Sequence, residues 1–328
     1  NNLKTLLVDE KNELGGATVY DNRDFNKIDN QSSSDWIKKE IQELRNIKNL
    51  EIKTRTSAAA YHGYNYLLAR ENLTDHLEKK DKQGKIRQRL LKIRAKKVIL
   101  ATGALERPLI FNNNDRPGIM LSSAVKKYAD FYGVICGQKT VFFTNNDSAY
   151  ESAFCLHNKG IKVEAIIDIR DNSNSKIVKA VKEAGIKIYW SHTVVDTSGY
   201  KRLKNISVMK LSNDGMSVTG NRIEISCDCL GVSGGWTPAV HLFTQSGGKL
   251  SFNEENKVFL PNKYPSEQIS IGSCNGDFKI NEIIKNLSKN LKDFLKIEQT
   301  DFDNINVDSY EEKSKRNIWL LPSDKPIG

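Results

Sequence analysis

KTVFFTNNDSAYESAFCLHNKGIKVEAIIDIR, Lys139 to Arg170, decides how the rest of the sequence is read. It opens with the compact apolar strand QKTVFFTNN and passes through a polar turn at Asn145-Asn146-Asp147. A helix follows, with Asp147 or Ser148 as N-cap and Gly160 as its stop. IKVEAIIDIR is the next strand, and NSKIVKAVKEAG followed by IKIYW repeats the alternation as far as Trp190. Strand, helix, strand, helix, strand with short connections is the signature of a doubly wound parallel sheet. The turn is unusual for such a sheet. Glycine lets the backbone approach a pyrophosphate at this point, and here Asp147 adds a like charge instead. The unit is therefore expected to hold no dinucleotide of its own. It reads either as a degenerate scaffold or as a polar surface recruited for another ligand or a subunit contact.

Working outward, LLVDEKNELGG (residues 6–16) is a second nucleotide-fold signal, a short apolar strand ending in Asp9 and Glu10. A ribose-binding carboxylate lies roughly 20 residues after a glycine-rich phosphate turn. Five residues precede this strand, so the sequence is expected to be a fragment cut inside a domain. SSSDWIKKEIQELRNI from Ser32 is a helix with Ser34 or Asp35 as N-cap. Residues 50–96 read as a strand meander, and KKVILATGALERP as a buried strand running into a Thr102-Gly103 turn. SSAVKKYADFYG is a capped helix ending at Gly133. Beyond the deciding stretch, RIEISCDCLGVSG is one strand, ISIGSCNGDF another and KINEIIKNLSKNLKDFLK a long amphipathic helix; from Thr300 the chain is polar and irregular. The fold class is α/β, two Rossmann-like FAD/NAD(P)-binding domains with the second inserted in the first, plus a β-meander. The expected boundaries are 1–116 for the first domain, 117–236 for the second, 237–299 for the return and 300–328 for a linker towards a further domain.

Composition narrows the class. The 328 residues, 38% apolar and 27% charged, suit about two globular domains. No apolar run approaches the roughly 20 residues of a membrane span, no targeting signal is visible, and a cytoplasmic location is expected. A formal charge of +10 raises the question of nucleic acid, tested best at KIRQRLLKIRAKKVIL from Lys85. Lys92, Arg94 and Lys96 alternate there with Leu91, Ile93 and Ala95, and no aromatic side chains are interleaved to stack bases. That is a solvated strand face. Five cysteines fit a reducing compartment. Cys227 and Cys229 are read as neighbours on one strand face, and no second Cys or His pair completes a metal site. His62, His76, His157, His192 and His241 are scattered, with no partner at triad or metal spacing, so no catalytic acid or base is assigned.

The order of these parts resembles the two-dinucleotide-domain flavoproteins. That resemblance places Glu10 on the adenosine ribose, with Gly15 and Gly16 in the turn after it. It sets Ala101, Thr102 and Gly103 beside the dinucleotide, and Gly272, Asn275 and Gly276 near its phosphates. Disulfide reductases of this plan carry a redox cysteine pair in the helix after the double glycine; GGATVYDNRDF has none, so thiol–disulfide chemistry is excluded there.

LATGALERPLIFNNNDRPGIMLSSAVKKY, VFFTNNDSAYESAF and VSGGWTPAVHLFTQSGGKL narrow the resemblance to the α subunits of heterotetrameric sarcosine oxidases, over nearly all of residues 3–280. The resemblance implies NAD in the first domain, FAD and FMN held with a β subunit, γ and δ subunits as further partners, and tetrahydrofolate on a C-terminal domain beyond Gly328. It implies oxidative demethylation of sarcosine to glycine with hydrogen peroxide and methylene-tetrahydrofolate or formaldehyde. The glycine-rich turn is then expected upstream of Asn1, and this fragment alone is expected to be inactive. Glu106, Arg107, Asn113, Asn114, Asp115, Arg116, Asn145, Asn146 and Asp147 are assigned to a polar wall facing FMN or the β subunit. Three other readings stand beside it: a free-standing FAD-dependent amine or NADH oxidoreductase, the α subunit of a related opine, proline or glycine dehydrogenase, and a non-catalytic cofactor-holding scaffold.

Overall fold

The computed structural model describes residues 3–20, 26–308 and 316–325. Along the chain lie β1 (Thr5–Val8), α1 (Ser33–Leu44), β2 (Leu50–Lys53), β3 (Thr56–His62), β4 (Tyr66–Asn72), β5 (Gln88–Arg94) and β6 (Val98–Leu100). Next come β7 (Ile119–Leu121), α2 (Ser122–Asp130), β8 (Thr140–Thr144), α3 (Ser148–Asn158), β9 (Val163–Asp168), α4 (Lys176–Glu183) and β10 (Ile188–Trp190). They are followed by β11 (His192–Ser198), β12 (Asn205–Leu211), β13 (Val218–Ser226) and β14 (Cys229–Ser233). The last are β15 (Lys249–Asn253), β16 (Val258–Lys263), β17 (Gln268–Ser270) and α5 (Ile280–Leu295).

The chain divides into two compact units, the first made of Asn1–Ala104 and Pro238–Ser309, the second of Leu105–Thr237 and Tyr310–Gly328. One nucleotide-fold unit is thus inserted in another. Residues 105–116 pack with the second unit. The stretch after Thr300 is anchored at two points: Val307–Asp308 pairs antiparallel with Lys27–Ile28 in the first unit, and Leu321 is fully buried in the second. The parts of these expectations that fall on residues 1–2, 21–25, 309–315 and 326–328 lie outside the described residues.

The first unit contains two parallel pairs, β1 with β2 and β6 with β17, the antiparallel meander β3-β4-β5 and the hairpin β15-β16. Its helix α1 is capped two residues before Ser34 and three before Asp35, by Ser32, whose hydroxyl accepts from the Asp35 amide at 3.2 Å and donates to the Asp35 carboxylate at 2.8 Å. In β5 the charged side chains are exposed and Leu91 and Ile93 half-buried, as a one-sided strand requires.

The second unit carries a five-stranded parallel sheet in the order β7-β14-β8-β9-β10. Every residue of β8 is buried, because helices and strands cover both faces of a parallel sheet. The antiparallel sheet β11-β12-β13 supplies one cover, with Val194, Ile206, Val208 and Leu211 packed in one core with Val141, Phe143, Ile167 and Val232. RIEISCDCLGVSG is not one strand. It breaks at Cys227-Asp228 into β13 of the antiparallel sheet and β14 of the parallel one. The Asp228 carboxylate accepts from the amides of Gln138 and Lys139 at 3.1 and 2.8 Å, fixing the chain where it changes sheets. Cys227 and Cys229 therefore do not share a strand face.

Candidate functional site

In the first unit the register of β6 against β17, Ser270 opposite Leu100, ends both strands on the same side. The Ile271 amide donates to the Leu100 carbonyl at 2.9 Å and the Cys274 thiol donates to the same oxygen at 3.2 Å. Ala101–Gly103 and Gly272–Gly276 therefore emerge side by side at the carboxyl ends of a parallel pair, where α/β sheets bind ligands. The Thr102 hydroxyl donates to the Ala239 carbonyl at 2.7 Å, and the Ala239 amide to the Gly103 carbonyl at 3.0 Å, which pins the turn. Gly103 has φ +74° and a Cβ added there would touch nothing within 4 Å, so its backbone stands bare to an approaching ligand. Glu10 to Gly16 follow the carboxyl end of the other pair, β1 with β2, and Glu10 is exposed.

The 16-residue helix α5 begins just after the second turn, and its N-terminal dipole favours an anion, although the Glu282 amide is already taken by the Asn281 side chain. Asp277, which the sequence reading did not single out, sits between that turn and α5. It accepts from the Asn286 side chain at 2.7 Å, and burial pushes its carboxyl up towards the neutral form. Bare glycine backbone beside a helix N-terminus suits an anionic ligand, while Glu10 follows a separate strand pair.

The second unit is built oppositely. At the ends of β8 and β9, Asp147, Asp168 and Arg170 are 1%, 0% and 2% exposed. The Arg170 Nη1 lies 2.8 Å from Asp147 Oδ1 and its Nη2 2.7 Å from Asp168 Oδ2, and the Tyr150 hydroxyl donates to Asp168 at 2.7 Å. Burial works against the guanidinium charge, but Asp168 and Asp147 overcome it and hold Arg170 firmly protonated. Asn146 caps α3 through its own side chain, accepting from the Ser148 amide at 2.9 Å, and donates to Ser233. Neither Asp147 nor Ser148 caps that helix with a side chain.

The nine residues assigned to a polar wall fall into two groups. Asn145, Asn146 and Asp147 are buried at the sheet's carboxyl ends and bonded within the unit. Glu106 and Arg107 join that region, through the Ser123 amide and the Gly235 carbonyl respectively. Asn113 and Arg116 instead bond the end of β11, at Asp196, Thr197 and Gly199. Asn114 donates to the Leu109 carbonyl at 3.4 Å, and Asp115 follows it in the chain.

Glu106, 8% exposed, takes the place of a side-chain cap on α2 by accepting from the Ser123 amide at 2.8 Å. Burial pushes its carboxyl above the ordinary value, and hydrogen bonds from Ser123 and Ser233 oppose the shift. A raised folded-state value means the folded chain holds this proton longer than the unfolded chain. Its stabilising contribution is present below the ordinary glutamate range and is lost as pH rises through the raised value. Thermal unfolding of wild type and Glu106→Gln from about pH 4 to 8 should therefore show wild type losing ground to the variant as pH rises. Parallel curves would refute this linkage.

Among the described residues no group of three or more His, Cys, Asp or Glu is placed to hold a metal ion, and no helix is long and apolar enough to cross a membrane. Burial pushes the Cys227 and Cys229 thiols up to about 12, which makes them poor nucleophiles. The His192 ring bonds the Trp190 carbonyl at 2.6 Å, a structural contact.

Residues 60–269 match the family model described as pyridine nucleotide-disulphide oxidoreductase. The chain is similar to sarcosine oxidase subunit alpha of Corynebacterium sp. (strain P-1), 37% identical over 279 residues, covering 84% of this chain and 28% of that protein. It is similar also to sarcosine oxidase subunit alpha of Rhizobium meliloti (strain 1021), 33% identical over 260 residues, covering 78% of this chain and 24% of that one. The chain thus spans about a quarter of the length of these relatives. Among solved structures, L-proline dehydrogenase from P. horikoshii aligns with TM-score 0.62 at 19% identity over 93% of this chain and 55% of its own. T. acidophilum thioredoxin reductase aligns with TM-score 0.57 at 15% identity over 83% of both chains, and at such identities the two show a shared fold. With more than half of its length matched and both nucleotide-fold units in place, the chain belongs to the pyridine nucleotide-disulphide oxidoreductase family, whose members bind FAD or NAD(P).

Proposed function

We propose that this chain is the NAD-binding portion of the α subunit of a sarcosine oxidase. The observation that carries the proposal is the pairing of β6 with β17, which sets Ala101–Gly103 beside Gly272–Gly276. The similarity to sarcosine oxidase α subunits directs it to that chemistry. In this reading Glu10 accepts hydrogen bonds from the adenosine ribose, and Gly15 and Gly16 shape the turn after it. Ala101, Thr102 and Gly103 line the dinucleotide, while Gly272, Asn275 and Gly276 offer backbone to the phosphates at the head of α5. Asp277 lies between the Gly272–Gly276 turn and α5, its carboxyl raised above the ordinary aspartate value by burial. FAD and FMN, held with a β subunit, would supply the hydride acceptance that oxidises sarcosine and the delivery of those electrons to oxygen as hydrogen peroxide, glycine being freed when water or tetrahydrofolate takes the one-carbon unit. The one-carbon unit leaves as methylene-tetrahydrofolate or formaldehyde, and γ and δ subunits complete the assembly. No side chain of this chain is assigned a proton transfer.

The test is to purify the full-length α chain alone, release its nucleotide by heat and identify it by mass. NAD without flavin is expected. Glu10→Ala should reduce occupancy at least about tenfold, the effect of losing a charge-assisted hydrogen bond. FAD in its place would replace the proposal with a free-standing flavoenzyme. No nucleotide at all would leave a scaffold.

A further inference from the structure

We propose that the arm Arg316–Leu321 is the resident occupant of the second unit's ligand crevice, seated across the ends of β8, β9 and β14 where a sheet of this order receives a nucleotide. In the order β7-β14-β8-β9-β10 the chain leaves β8 towards β9 and β10 on one side, while β14 and β7 lie on the other. The topological switch point is therefore between β8 and β14, and ligands of open parallel sheets bind outside the carboxyl ends there.

The arm touches all three strand ends. The Asn145 side chain, just past β8, donates to the carbonyls of Arg316 and Ile318 at 3.1 and 3.4 Å. The Trp319 indole, over the end of β14, donates to the Gly234 carbonyl at 2.6 Å. Arg316 Nη1, at the end of β9, donates to the Ile169 carbonyl at 2.7 Å, and its Nη2 donates to the carbonyls of Ser212 and Asn213 at 2.9 and 2.7 Å. Two glycines make room. A Cβ on Gly234 would come within 3.0 Å of the Trp319 ring, and one on Gly215 within 2.3 Å of Ile318. Main-chain bonds with Ile110 on either side, Ile110 N–H to Trp319 O and Leu321 N–H to Ile110 O, lock the arm in place.

Beneath it the floor is filled as well. Asp147 stands where a glycine would admit phosphate, and Asp168, at the ribose-type position ending β9, is consumed by Arg170 and Tyr150. The Trp236 indole closes over α3 by donating to Ser148 Oγ at 2.8 Å. A seat occupied by the chain itself cannot exchange with free NADH or NADPH, so the second unit works as a clamp for this arm and does not admit reductant. This stands whether or not the first unit binds NAD.

Hydrogen exchange on the full-length α chain tests it, read at residues 145–150 and 316–321 with and without saturating NADH or NADPH. Both segments should be protected, and neither nucleotide should change that protection. Asn145→Ala should speed exchange in the arm about tenfold, as the loss of two hydrogen bonds predicts. Arg316→Met, which alters only the arm, should do the same and serves if the first variant does not fold. Nucleotide-induced exposure of 316–321, or wild-type exchange in both variants, would overturn the proposal. A protein that releases no NAD on heating would sink the first unit's assignment and leave this readout intact.

Discussion

Arg170→Met should destabilise the second unit by about 3–5 kcal/mol, the largest single-residue loss expected in that unit. The guanidinium makes bonds to two carboxylates at once, and neither Asp147 nor Asp168 has access to solvent. Removing the cation leaves two acids facing each other in a medium that solvates neither. The donors that remain are neutral: the Tyr150 hydroxyl and the residue-170 amide on Asp168, and the Ser173 hydroxyl on Asp147. For a unit of this size the melting temperature should fall on the order of 10 °C, read by calorimetry or by exchange confined to the second unit. A packing loss would give the same sign, so the charge argument needs a second variant. The triple change Asp147→Asn, Asp168→Asn, Arg170→Met removes every formal charge while keeping shape and an acceptor for Tyr150. It should recover at least about half the loss. A triple variant no better than the single one would show that Arg170 acts by filling space.

The same cluster shows how far the sequence could be read. The strand–helix alternation from Lys139 to Trp190 was legible because periods of 2 and 3.6 persist over whole elements. The absence of glycine at Asn145–Asp147 was equally plain. What replaced the phosphate was not, because Arg170 looks like the polar end of a strand until β9 is laid parallel to β8. The rule that picked Glu10, a carboxylate closing the second strand, also picks Asp168, and applying it to both units would have exposed the pair. Cys227-Asp228-Cys229 misled because a two-residue break carries no periodic signal. The arm at Ile318–Leu321 was hidden for a related reason, since four apolar residues in a polar tail are too short to declare a partner. On the first unit, Ala101–Gly103 and Gly272–Gly276 were found as motifs, but their adjacency is a property of strand register alone. Asp277 was passed over because its meaning depends on burial.

Asn65→Leu should cost the first unit about 3–5 kcal/mol and take dinucleotide binding with it. Asn65 is 4% exposed and uses both ends of its amide. Its Nδ2 donates to the carbonyls of Lys96 and Glu267 at 3.1 and 3.0 Å, and its Oδ1 accepts from the Tyr61 hydroxyl at 2.7 Å and the Ser266 hydroxyl at 3.0 Å. Lys96 and Glu267 precede β6 and β17, so one side chain in the meander aligns the two strands that present both glycine turns. Burial pushes the Tyr61 phenol up to about 12, and in the variant that hydroxyl loses its acceptor. Leucine would also have to adopt φ +53°, which costs about 1–2 kcal/mol in a residue with a Cβ. Asn65→Gly separates the two contributions, because glycine takes this backbone freely and makes none of the bonds. It should retain the larger part of the loss, with β6 and β17 free to slip and nucleotide occupancy reduced in parallel with stability. If Asn65→Gly bound nucleotide and melted like wild type, the bonds would be incidental and the conformation alone would be what Asn65 supplies.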